Sequence, residues 1–154
     1  MNLELRPIDA SNQSAVEALT VSKSQKQYIA SNKSSLATAA SDEYKEIARP
    51  FAIYADDKLI GFTMFAFELT SSDPQDRYWL WRFMIDQHFQ GEGYGSAALE
   101  IIINYFENHG ADHIMLSTKD TNTTALTLYH KFLFAETGEM NGDEIVLRLT
   151  LNAL

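Results

Sequence analysis

The sequence predicts a one-domain α/β fold with a central mixed sheet, and three observations carry that reading. The chain has 154 residues, 45% hydrophobic and 21% charged, enough for one sizeable core and ordinary for a globular protein. Its strand-like and helix-like patterns follow the order βααβββαβαββ, with no internal repeat, low-complexity tract or linker. A largely apolar run over Tyr78–Ile85 leads into a turn with three alternating glycines, Gly91, Gly93 and Gly95. An amphipathic helix pattern begins there at once.

Residues 3–8 alternate as a short strand. Asp9 or Ser11 is expected to cap a helix over 12–20. Residues 22–34 are polar, with Tyr28 and Ile29 as the large apolar anchors, and read as a loop or short helix. The Ala-rich 34–47 segment predicts a helix stopped by Pro50. Phe51–Ala55 and Leu59–Leu69 are strand patterns around Asp56-Asp57, a hairpin signal. Residues 71–74 form a loop. Tyr78–Ile85 reads as a central strand buried on both faces. Over 93–108 a helical stripe of Ala97, Ala98, Ile101, Ile102, Tyr105 and Phe106 faces the core, and Gly110 ends that helix. His113–Ser117 is a strand, and Asn122 or Thr123 caps a helix running to about Phe132. Two last strands, near Phe134–Glu136 and Glu144–Leu149, are joined by a turn at Asn141-Gly142.

Composition narrows the function. No apolar run approaches the ~20 residues of a membrane span, and Met1–Arg6 has no signal-peptide pattern. The absence of cysteine excludes disulfides, thiolate nucleophiles and Cys-based metal sites and is compatible with a cytoplasmic setting. A net charge of −9 argues against a nucleic-acid partner and is compatible with a cationic substrate. His88, His109, His113 and His130 form no helical ligand pair, so no metal site is expected. No Gly-x-Ser-x-Gly elbow is present, so a hydrolase triad is unsupported.

The glycine junction carries the chemistry. Bare backbone N–H groups can converge there without a Cβ in the way, and the first helical turn adds unpaired donors and the positive end of the dipole. Such a junction suits a phosphate or pyrophosphate, although a tight turn without a ligand reads the same way. A dinucleotide fingerprint would need glycine where Ser96 stands, and a Walker A loop would need Gly-Lys-Ser/Thr.

Gln90-x-x-Gly93-x-Gly95 resembles motif A of the GNAT N-acetyltransferase superfamily. A second segment, Asn122-Thr-Thr-Ala-Leu-Thr-Leu128-Tyr129-His-Lys131-Phe-Leu-Phe134, resembles the family's motif B. The resemblance implies a GNAT-type acyl-CoA N-acyltransferase fold, with a mixed, mostly antiparallel sheet flanked by helices over residues 1–154. It implies acetyl-CoA as co-substrate. Gln90, Gly91, Glu92, Gly93, Tyr94, Gly95 and Ser96 would hold the pyrophosphate. The backbone of Phe83, Met84 and Ile85 would pair with the pantetheine arm, and Asn122 would reach the pantetheine or pyrophosphate. Tyr129 occupies the family's general-acid position. Two positions depart from the pattern: Gln87 where proline is frequent, and Leu133 where glycine stands. Leu133 puts the local backbone in question, because glycine often marks positive φ or a bulge.

Direct acetyl transfer to an amine is therefore expected. The base is open among Glu68, Glu43 and a water chain. The string Tyr78-Trp79-Leu-Trp81-Arg-Phe-Met-Ile-Asp resembles bacterial spermine/spermidine (diamine) N-acetyltransferases. A polyamine would seek carboxylates and aromatic faces. Tyr28, Glu43, Trp79 and Trp81 are the candidate substrate contacts, with Asp42-Glu43…Glu46 as an acidic helix face. Another small amine, an aminoglycoside, a protein amine, a non-catalytic acyl-CoA sensor and a nicotinamide-nucleotide binder stay open as alternatives. The resemblance also admits a homodimer, which no sequence feature decides.

Overall fold

The computed structural model describes residues 2–151. Its centre is a seven-stranded sheet: β1 (Leu3–Pro7), β2 (Ala48–Ala55), β3 (Lys58–Phe67), β4 (Tyr78–Ile85), β5 (His113–Thr118), β6 (Ala135–Asn141) and β7 (Glu144–Thr150). The spatial order is β1-β2-β3-β4-β5-β7-β6. All neighbours are antiparallel except β4 and β5. Helices α1 (Gln13–Ala18) and α2 (Asn32–Ala40) precede β2, α3 (Tyr94–Asn108) joins β4 to β5, and α4 (Thr123–Lys131) follows β5.

The sheet separates two cores. Val16, Phe62, Met64 and Met84 pack beneath α1 and α2. Phe65, Leu99, Ile102, Phe106, Ile114 and Leu147 pack with α3, and Leu126, Leu128 and Tyr129 of α4 lie against them. The buried stripe of α3 is Ala98, Leu99, Ile102 and Phe106. Leu99 is thus in the core while Ile101 is only partly buried.

Local chemistry sets most boundaries. Asp56 and Asp57 hold φ of 48° and 67°, the paired positive values of a two-residue hairpin turn. The α3 C-terminus is a Schellman motif: Ala111 N–H donates to Phe106 O and Gly110 N–H to Glu107 O, with Gly110 at φ 85°. The same motif closes α4, where Phe134 N–H reaches Tyr129 O and Leu133 N–H reaches His130 O. Leu133 there holds φ 72°, a conformation that ordinarily calls for glycine.

Several expectations are corrected. The helix expected over 34–47 spans Asn32–Ala40. Ser41 Oγ donates to Thr38 O at 2.6 Å, competing with the helical ladder, and 42–47 continue as turns. Pro50 does not stop a helix. It lies within β2 opposite Met64, just before β2 begins pairing with β1 at Phe51, where a missing N–H costs no ladder bond. The first helix is capped by neither Asp9 nor Ser11. Asn12 holds the N-cap position without a side-chain cap, its Oδ1 accepting from Asp9 N–H. The strand expected to end at Glu136 continues to Asn141 and is exposed throughout, and the hairpin turn after it is Gly142-Asp143. Finally, β4 is not buried on both faces. Trp79, Trp81, Arg82 and Phe83 are only partly covered, because β5 leaves β4.

Candidate active site

β4 and β5 share a single register pair, Trp79 with Met115. Beyond it the parallel strands diverge and open a cleft of about 1060 Å³. Its walls are β4 and the α3 N-terminus on one side, and β5, α4 and β7 on the other. Divergence leaves β4's edge toward β5 without a ladder partner past Trp79, so Phe83–Ile85 present backbone groups to the cleft.

At one end lies the glycine turn. Gly91 and Gly93 hold φ of 79° and 84°, and α3 starts at Tyr94 with Gly93 as N-cap. The first helical bond runs from Ala97 N–H to Gly93 O, so the amides of residues 93–96 have no intrahelical acceptor. A Cβ built on Gly91 or Gly93 meets no heavy atom within 4 Å, so the approach to these amides is open. Lys131 Nζ donates to Ser96 Oγ at 3.1 Å, adding a cation at this end. Donors, helix dipole and cation together fit a pyrophosphate.

Gln90 also lines the cleft, but its Nε2 donates to Ile85 O at 2.8 Å and Gln25 Oε1 at 3.0 Å, so it braces the end of β4. Glu92 and Tyr94 do not line the cleft. Glu92 is exposed, and Tyr94 packs against Phe89 with centroids 6.3 Å apart. Asn122 holds the N-cap position of α4 and lines the cleft, yet its side chain does not cap. Its Nδ2 donates to Thr118 Oγ1 at 3.1 Å.

Tyr129 sits on α4 with its ring 5.6 Å from Phe134. It faces the cleft, and burial pushes its phenol up to about 12 by disfavouring the phenolate.

The cleft face on the α1/α2 side is aromatic and charged. The register of β4 against β3 skips Trp81, so Leu80 opposes Phe65 and Arg82 opposes Met64. This bulge puts Trp81 and Arg82 on one face. Tyr44 stands edge-on to Trp81 at 5.0 Å. Arg82 Nε donates to Ser35 Oγ and Nη1 to Trp81 O. Burial lowers the Arg82 guanidinium, and the charge of Glu144, which also lines the cleft, works against that. Tyr28 closes over the cleft, its hydroxyl donating to Thr121 O and Oγ1 at 3.2 Å each.

Of the candidate substrate contacts, Tyr28, Trp79 and Trp81 line the cleft and Glu43 does not. Glu43 is exposed on the outer side of Tyr44, whose phenol it raises, with Glu68 adding to the effect. The segment 42–47 is not a helix, so the acidic face expected there does not form; Asp42 pairs with Lys45 at 3.3 Å. The carboxylates that do line the cleft are Glu68, Asp76 and Glu144. Asp76 Oδ1 accepts from Trp79 Nε1. Asp76, Arg82, Ser117 and Glu144 had no local sequence signal, since strand order brings them to the cleft.

A sequence profile of the acetyltransferase (GNAT) family matches residues 12–134. The chain belongs to this family. It is an N-acetyltransferase, and acetyl-CoA is the co-substrate of the family. The chain is 31% identical over 153 residues to a protein of Bacillus subtilis (strain 168) named spermine/spermidine N(1)-acetyltransferase, covering 96% of this chain and 99% of that one. Its fold matches the ribosomal-protein-S18-alanine N-acetyltransferase of Escherichia coli with a TM-score of 0.72 at 16% identity, over 99% and 96% of the two chains. The PaiA N-acetyltransferase of Thermoplasma acidophilum, crystallised with coenzyme A, gives a TM-score of 0.70 at 16% identity over 97% and 99%.

Proposed function

We propose that this GNAT enzyme moves the acetyl group of acetyl-CoA directly to a primary amine of a polyamine such as spermine or spermidine. The observation that carries the polyamine reading is the near-full-length similarity to a spermine/spermidine N(1)-acetyltransferase. The cleft supports it. Trp79, Trp81 and Tyr44 offer aromatic faces, and Glu68 and Asp76 offer carboxylates to distal ammonium groups.

Bound acetyl-CoA supplies an activated acetyl thioester. The amides of residues 93–96 and Lys131 hold the pyrophosphate end, and the free edge of β4 at Phe83–Ile85 orients the arm. A backbone N–H of that edge also stabilises negative charge on the acetyl oxygen. Tyr129 stays protonated at neutral pH, with its phenol raised to about 12. Giving its proton outright to a free thiolate of ordinary pKa ~8.5 is uphill by ~5 kcal/mol. Tyr129 therefore acts as a hydrogen-bond donor to the departing sulfur, in surroundings that raise the thiol as well.

The test is CoA release from acetyl-CoA with spermine, spermidine, putrescine, an aminoglycoside and a lysine peptide. Turnover with spermine or spermidine and none with the peptide is expected. Turnover confined to the aminoglycoside or peptide would reassign the acceptor. Tight acetyl-CoA binding with no turnover across the panel would favour a sensor.

A further inference from the structure

The amine needs a proton acceptor beside the acetyl group, and four carboxylates, Glu43, Glu68, Asp76 and Glu144, are the candidates. Glu43 lies outside the cleft. Glu68 follows the end of β3 and is exposed. Asp76 precedes β4 and accepts the Trp79 indole. Both therefore line the cleft before the Trp79–Met115 pair, away from the free edge at Phe83–Ile85.

Glu144 stands on the open side. Met115 pairs with Arg148 and Thr118 with Ile145, which puts Glu144 about four residues, or ~13 Å, beyond the point of divergence. Phe83, on the free edge of β4, also lies beyond that pair and lines the cleft from the opposite wall. Glu144 is only half-exposed, and one of its oxygens is fixed. Ser117 Oγ donates to Glu144 Oε1 at 2.8 Å, and Asn141 Nδ2 donates to Ser117 Oγ at 3.2 Å. Three adjacent strands hold the carboxylate in place. Arg82 lines the cleft from β4, while Lys119 is engaged with Asp143 at 3.6 Å.

We infer that Glu144 is the general base of the acetyl transfer, held in position by Ser117 and Asn141. The amine first loses one proton to solvent and arrives neutral. Its nitrogen then bonds to the acetyl carbon as the carbon–sulfur bond breaks. The second nitrogen proton passes to Glu144 Oε2, and the electron pair of the broken bond leaves with sulfur, which accepts a hydrogen bond from the Tyr129 hydroxyl. Glu144 then gives its proton to solvent and the thiolate takes one from solvent, so the net products are the N-acetyl amine, CoA and one proton.

This assignment rests on acetyl transfer, whichever amine accepts it, so it is tested with the best acceptor the panel reveals. If that acceptor is not a polyamine, the polyamine reading falls and this test stands. Glu144→Gln is expected to lower kcat about 100-fold while leaving the acetyl-CoA KM within about twofold and the CoA-induced rise in Tm intact. Glu144→Ala is expected to recover turnover when sodium formate is added. Ser117→Ala is expected to lose about tenfold in kcat with no response to formate. A Glu144→Gln enzyme within threefold of wild-type kcat would overturn the assignment. So would a folded, CoA-binding Glu144→Ala enzyme that formate does not rescue.

Discussion

Trp79 and Met115 form the single register pair that joins β4 to β5, and the free edge of β4 at Phe83–Ile85 lines the cleft beyond it. The indole of Trp79 is itself tied to Asp76. The pair therefore fixes both where the sheet opens and where the aromatic wall begins.

Tyr129→Phe removes the hydroxyl proposed to donate to the departing sulfur. Turnover is expected to fall about 100-fold with CoA affinity unchanged within about twofold, as measured by steady-state kinetics and calorimetry. Burial holds the phenol at about 12, so Tyr129 contributes no basic limb to the pH profile below about pH 10. The folded phenol titrates above the unfolded one, so its contribution to stability is complete below about pH 10 and lost as pH rises toward 12. A basic limb below pH 10 that vanishes in Tyr129→Phe would refute the high phenol pKa.

Gly93→Val tests the anion cradle. Valine at φ 84° is strained by about 1–3 kcal/mol, and its side chain projects into the open space above the turn. CoA affinity is expected to fall at least 100-fold, or ~2.7 kcal/mol, in calorimetry on protein that remains folded by circular dichroism. Wild-type affinity in this variant would move the pyrophosphate elsewhere.

Asp86 ties the end of β4 to the segment after α1. It accepts from Thr20 N–H at 2.9 Å, His88 N–H at 3.1 Å and His88 Nδ1 at 2.8 Å. Burial raises its carboxyl, but these bonds outweigh that and hold it below the ordinary range. A depressed folded pKa contributes stability above the unfolded value and loses it as pH falls below about 4. Asp86→Asn is expected to cost about 2 kcal/mol at pH 7, or about 6 °C in Tm. The difference from wild type should narrow by pH 3 in thermal melts, and a difference that widens on acidification would contradict the carboxylate role.

Leu133 is 78% exposed at φ 72°, so it carries left-handed strain with little burial in return. Leu133→Gly is expected to stabilise the protein by about 0.5–1 kcal/mol, raising Tm by about 2 °C. A lower Tm would show that the Leu133 side chain makes a stabilising contact.

What the sequence determined was local. The Gln90–Ser96 turn, the Asp56-Asp57 hairpin, the α3 stop at Gly110 and the placing of Tyr129 on a helix depend on residues close in the chain. Turn preference, capping and periodicity act over that range. The departure at Leu133 was legible too, as a positive-φ position without its glycine. Tertiary structure decided what long-range pairing controls. The divergence of β4 from β5 exposed Trp81 and Arg82 on a strand whose apolar pattern read as buried. The early end of α2 at Ala40 left Glu43 outside the cleft. The insertion of β7 between β5 and β6 carried Glu144 to Ser117, 27 residues away in sequence. Strand order fixes such neighbours through burial and ladder bonding summed over the whole sheet, and no short stretch of sequence contains that sum.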